Sequence, residues 1–116
     1  MQFEDPLFLT NALCGLSFLL AGAFMHNFPP KEINPLYGYR TRRSMKNQKN
    51  WEFAQEYSAK KLLQTGALLL ISSILGLVWN VEESFSLLVT LAILILCIIY
   101  LFYTTETQLK RLENQK

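Results

Sequence analysis

The sequence predicts an all-α membrane protein with three transmembrane helices, and three observations lead there. The 116 residues are 51% hydrophobic, yet the apolar side chains are gathered into three long blocks, where a soluble domain would disperse them at helix or strand period. Each block has the length of a span, since roughly 20 residues at a rise of about 1.5 Å cross a hydrocarbon core about 30 Å thick. The charged residues collect between and after the blocks, and most of the positive charge falls in a single connection. The length suits one membrane domain over 1–116.

The first block, Leu7 to Phe28, contains no formally charged side chain. A cleaved signal would carry Lys or Arg ahead of a shorter apolar run, whereas "MQFEDP" carries Glu4 and Asp5, so the block is expected to be a retained anchor. Leu62 to Trp79 and Phe85 to Tyr103 form the second and third spans. The connection Asn80 to Ser84 is short enough to force an antiparallel hairpin and sets Glu82 and Glu83 at the third helix's N-terminus, where the helix dipole favours negative charge. Close helix approach is expected at the small-residue pairs Ser17 with Ala21 and Ser72 with Gly76, and interhelical hydrogen bonds at Asn11 and Gln64.

Lys31, Arg40, Arg42, Arg43, Lys46, Lys49, Lys60 and Lys61 stand against Glu32, Glu52 and Glu56 in the 29–61 connection. The positive-inside rule puts that segment in the cytoplasm. Lys110, Arg111 and Lys116 place the C-terminus there too, with the N-terminus outside. Phe28, Trp79, Tyr100 and Tyr103 stand near block ends, as interfacial rings do.

Few residues invite catalysis. Cys14 and Cys97 are poorly placed to pair, and His26 has no second His or Cys at ligand spacing. There is no phosphate-cradling glycine loop and no Ser/His/Asp set, and with no carboxylate inside a span transport along a charged pathway is not expected; no metal, cofactor or nucleic acid is expected either.

The connection itself is organised. Pro29, Pro30 and Pro35 stop a helix from running straight out of the first span, so "FPPKEINPLYGYRTRR" reads as an extended, turning segment. Gly38 between two tyrosines permits a positive φ or a close backbone approach. Ser44 reads as an N-cap, with Asn47 at the third helical position, for a helix from near Met45 through Tyr57 that bends at Lys60 or feeds into the second span. Lys49, Glu52, Glu56 and Lys60 share its solvated face, while Asn47, Trp51, Ala54, Gln55 and Ser58 share the other. Arg40, Arg42 and Arg43 precede the cap, where free N–H groups favour anions, and an arginine fork suits phosphate or carboxylate better than a lysine point charge.

These residues also resemble a known family. "INPLYGYRTRRSMKNQKNWEFAQEYSAK" is similar to the signature of the SdpI family of small bacterial membrane proteins, named for immunity to a secreted, membrane-active peptide toxin. The matching positions are Asn34, Tyr37, Gly38, Tyr39, Arg40, Thr41, Ser44, Met45, Lys46, Asn47, Trp51, Ala54 and Gln55. The resemblance implies a multi-pass protein of the bacterial cytoplasmic membrane, acting in immunity or in relaying a signal, with a peptide toxin or a cytoplasmic regulator as partner. The candidate ligand-binding residues are Asn34, Tyr37, Tyr39, Arg40, Thr41, Ser44, Asn47, Trp51 and Gln55, with an anionic lipid headgroup or other anion as ligand. Oligomeric state, a homo-oligomer included, is left open. The alternative is a small membrane enzyme acting on a lipid phosphate, with Arg40 and the helix N-terminus holding charge. It lacks a convincing general base, so the reading leans away from catalysis.

Overall fold

The computed structural model describes residues 5–79 and 81–114. Helix α1, Pro6–Asn27, starts where Asp5 Oδ1 accepts from Leu7 N at 2.8 Å and a proline takes the first turn, the position where a missing N–H costs nothing. It closes with Phe28 N donating to Phe24 O at 2.7 Å, just before Pro29 and Pro30. Helix α2, Gln48–Ser73, runs without interruption from the connection through most of the second apolar block. A hitch at Ile74 separates it from the short α3, Leu75–Val78. The cause is local, because Ser72 Oγ and Ser73 Oγ bond back to Leu69 O and Leu70 O at 2.8 and 2.6 Å and compete with the helical ladder. Helix α4, Glu83–Glu113, completes the chain. No strand occurs among the described residues.

Three helices are long and apolar enough to cross a membrane: Pro6–Asn27, Gln48–Val78 taken through the hitch, and Glu83–Glu113, each containing an 18-residue stretch of mean hydropathy 1.8, 1.7 and 2.9 respectively. The molecule is 53 Å long, well beyond a hydrocarbon core of about 30 Å. The loop, the first turns of α2 and the last turns of α4 supply the excess at one end.

Helices α1 and α2 pack backbone to backbone. A Cβ on Gly15 would lie 2.8 Å from Gly66 O, and one on Gly66 would lie 2.9 Å from Gly15 O, so neither helix tolerates a side chain at the crossing. Of the small-residue pairs expected from the sequence, Ser17 and Ala21 face outward instead. Ser72 does lie at the interface, accepting from Asn11 Nδ2 at 2.9 Å, and Gly76 abuts the backbone of Phe8. Gln64 pairs with α4, accepting from Tyr100 OH at 2.9 Å.

Helix α4 buries a stripe of Ser86, Thr90, Cys97, Leu101, Thr105 and Leu109 and turns bulky residues such as Leu88, Leu96 and Ile99 outward. Small and polar inside with large and apolar outside is the arrangement a lipid solvent allows, since burying leucine against leucine gains little there. The apolar block ends near Tyr103, but α4 continues ten residues further, to Glu113. That extension is what reaches the loop.

Candidate functional site

The connection folds back over the first turns of α2 and against the end of α4. Asn34 Oδ1 accepts from the backbone N of Leu36 and Tyr37 at 2.9 and 2.7 Å, a side-chain turn that follows from Pro35 occupying the next position. Tyr37 OH donates to Phe28 O at 2.8 Å and ties the turn to the end of α1. Gly38 takes φ 105°, a conformation open to glycine and strained for other residues. The turn brings Tyr39 against Gln55. Its backbone N donates to Gln55 Oε1 at 2.7 Å, and Gln55 Nε2 donates to its carbonyl at 2.8 Å, so one helix side chain satisfies both backbone polar groups of a buried residue.

Trp51 is wholly buried, its Nε1 donating to Pro30 O at 2.6 Å. Ala54, Gln55 and Ser58 are buried with it, while Lys49, Glu52, Glu56 and Lys60 face out, as the helical phase requires. Two expectations are corrected. The helix begins at Gln48, not near Met45, and its N-cap is Asn47, whose side chain accepts from Asn50 N at 2.8 Å. Asn47 is therefore exposed and does not join the inward face. Ser44 is buried instead in the preceding turn, where its Oγ accepts from Thr41 N at 2.8 Å and lies 3.1 Å from Tyr39 O. Three residues apart, both are good caps, and Ser44 is already committed to the loop.

Glu106 and Glu113 on the α4 extension close the assembly, and the sequence reading missed both. Glu106 Oε2 accepts from Tyr39 OH at 2.7 Å and Thr41 Oγ1 at 2.8 Å, with Arg43 Nη1 3.6 Å from Oε1. Burial, and then the Glu106 carboxylate, push the Tyr39 phenol far above its ordinary pKa, so it stays a neutral donor. Glu113 accepts from Lys46 Nζ and Arg43 Nε, each at 2.8 Å. Lys46 first, and Arg43 after it, hold the Glu113 carboxyl below its usual range against the opposing effect of burial. Asn50 Nδ2 donates to Arg43 O at 3.0 Å. The available signal was spacing, since Glu106 and Glu113 lie seven residues apart on one helix face beyond the apolar block, with a basic loop in need of counter-charge.

Nearly every polar atom of the signature is thus used within the fold. Arg40, Asn47 and Trp51 do not converge: Trp51 is buried against Pro30, Asn47 caps α2, and Arg40 is exposed, its Nη1 donating to Pro35 O. Arg40 has no carboxylate partner among the described residues. It lines a cavity of about 320 Å³ whose apolar walls include Met25, Leu62, Leu101 and Phe102. A second cavity, about 540 Å³, is lined by Arg42, Arg43, Lys46, Glu106 and Glu113. Arg42 alone of its three cations has no ion pair among the described residues.

The model of the SdpI/YfhL protein family matches residues 31–104. The chain belongs to that family. It is also 37% identical over 102 residues to the Bacillus subtilis (strain 168) protein YfhL, covering 88% of this chain and 87% of the relative. No solved structure matches. The stretch shared with the SdpI/YfhL family takes in the loop, α2 and most of α4 and stops just short of Glu106 and Glu113.

Proposed function

We propose that this member of the SdpI/YfhL family is a binding module of the bacterial cytoplasmic membrane, acting in immunity or signal relay, whose loop end engages an anionic headgroup or partner. The observation that carries this reading is the position of Arg40, an arginine without a carboxylate partner among the described residues at the side of an apolar cavity. A guanidinium beside Met25, Leu62, Leu101 and Phe102 suits a ligand with an anionic group and an apolar body. The rest of the signature acts as scaffold, because Gln55, Trp51, Ser44 and Asn34 are spent on holding the loop. Binding is favoured over catalysis because Glu106, the carboxylate that the Tyr39 and Thr41 hydroxyls reach, also faces Arg43, which leaves it poorly suited to taking a substrate's proton.

The test compares Arg40→Lys, Arg40→Ala and Lys49→Ala at equal membrane levels. The readouts are protection of cells against membrane-active peptides and co-purified anionic lipid. A forked contact predicts that Arg40→Lys fails nearly as badly as Arg40→Ala while Lys49→Ala is unaffected. If Arg40→Lys matches wild type and the variants differ only with net charge, the loop contributes membrane electrostatics alone.

A further inference from the structure

On the face shared by α2 and α4, Lys61, Gln64 and Tyr100 form a cluster that the loop does not use. Lys61 Nζ donates to Tyr100 OH at 3.1 Å and to Gln64 Oε1 at 3.2 Å, and Tyr100 OH donates to the same Gln64 oxygen at 2.9 Å. The ammonium also lies over two rings, 5.3 Å from the Tyr57 centroid and 5.2 Å from that of Tyr100. Lys61 immediately precedes the apolar run of α2 and Tyr100 lies in the last turn of the apolar block of α4, so the cluster sits where both helices leave the hydrocarbon. Gln64 and Tyr100 are exposed to the surroundings.

Lys61 spends its N–H donors on neutral partners, Tyr100, Gln64 and the Tyr57 hydroxyl, whereas the two amide N–H donors of Gln64 have no partner among the described residues. The one full charge of the cluster has no carboxylate partner among the described residues, whereas the adjacent Lys60 is paired with Glu56 at 3.5 Å. A lysine that merely extends toward water needs no amide and hydroxyl fixed beside it. We infer that Lys61, Gln64 and Tyr100 form a site for the phosphate of an anionic phospholipid, taken from the bilayer on the α2–α4 face. The aromatic faces hold the ammonium at interface depth, Tyr100 and Gln64 fix its direction, and the Gln64 amide supplies a second donor to the phosphate. The site does not depend on the Arg40 proposal, since neither Lys61 nor Tyr100 lines the Arg40 cavity.

Native mass spectrometry of the delipidated full chain, titrated with phosphatidylglycerol or phosphatidylcholine of identical acyl chains, tests it. Wild type is expected to bind the first phosphatidylglycerol about tenfold or more tightly than phosphatidylcholine, because both carry the phosphodiester but the choline cation of the second opposes the Lys61 ammonium. Lys61→Gln should abolish the preference. Gln64→Leu should weaken it severalfold, and Tyr100→Phe, which keeps the ring and removes only the hydroxyl, should weaken it less. Lys60→Gln should leave it intact, the series is repeated in an Arg40→Ala background so that the loop-end site does not contribute, and unchanged thermal midpoints show that all variants are folded. Persistence of the preference in Lys61→Gln in that background, or an equal loss in Lys60→Gln, overturns the site. Full displacement of the lipid by millimolar inorganic phosphate overturns the assignment to a lipid.

Discussion

Gly38→Ala attacks the point on which the loop turns. At φ 105° a residue with a Cβ is strained by about 1–2 kcal/mol. The new Cβ would lie 2.5 Å from Gln55 Oε1 and 2.7 Å from Pro30 Cγ, so the Gln55 amide has to move. Its movement breaks the bonds at 2.7 and 2.8 Å that satisfy the backbone N–H and carbonyl of buried Tyr39, at about 1–3 kcal/mol for groups left without partners. Together the two effects come to about 2–5 kcal/mol. Unfolding in detergent, followed by Trp51 fluorescence in a Trp79→Phe background, measures the loss. A double-mutant cycle with Gln55→Ala separates its parts. Both substitutions destroy the same contact, so the double variant should fall short of the sum of the single losses by about 1–3 kcal/mol. Strict additivity, or a Gly38→Ala variant within about 0.5 kcal/mol of wild type, would refute the argument that Gly38 exists to admit Gln55.

The Glu113 bridge predicts a pH dependence. Because the folded carboxyl is held below its ordinary value of 4.5, its contribution is complete above that value and is lost as pH falls through the lowered one. Amide hydrogen exchange across residues 40–47 should accelerate over that acid range in wild type. Glu113→Gln should show the loosened loop already at neutral pH and no acid step, and an unchanged acid step would exclude Glu113 as its origin. Orientation is tested in a chain whose Cys14 and Cys97 are replaced by serine. A cysteine at Glu82 should react with an impermeant maleimide in intact cells and one at Arg42 should not, and the reverse result would invert the proposed topology.

The spans were legible in the sequence because lipid imposes long uncharged runs, and the face of α2 was legible because Trp51, Ala54, Gln55 and Ser58 repeat at helical spacing. Two features were not. The start of α2 turned on whether Ser44 or Asn47 serves as cap, a choice made by the turn around Tyr39 and Thr41 and by no local propensity. The end of α4 was read at Tyr103 because hydropathy ends there, yet Leu109 and Thr105 continue the buried stripe of Leu101 one turn at a time. Arg43, one of the three arginines read as suited to an anion, has its carboxylate partner in Glu113, 70 positions away, where no local pattern reveals it.

Because α2 is unbroken between Gly66 and Trp51, the two ends of that stretch behave as a lever. The fulcrum is the glycine contact nearest the loop, where Gly22 of α1 meets the α2 backbone at Ala59 and Leu63 with no side chain of its own between them. From Ala59 to the indole the arm measures about 12 Å at a rise of about 1.5 Å per residue, so a tilt of about 10° carries Trp51 through about 2 Å. Such a swing is larger than the slack of the Trp51 hydrogen bond to Pro30, which closes at 2.6 Å. A small change of angle deep among the lipid chains would unclip the loop at the surface.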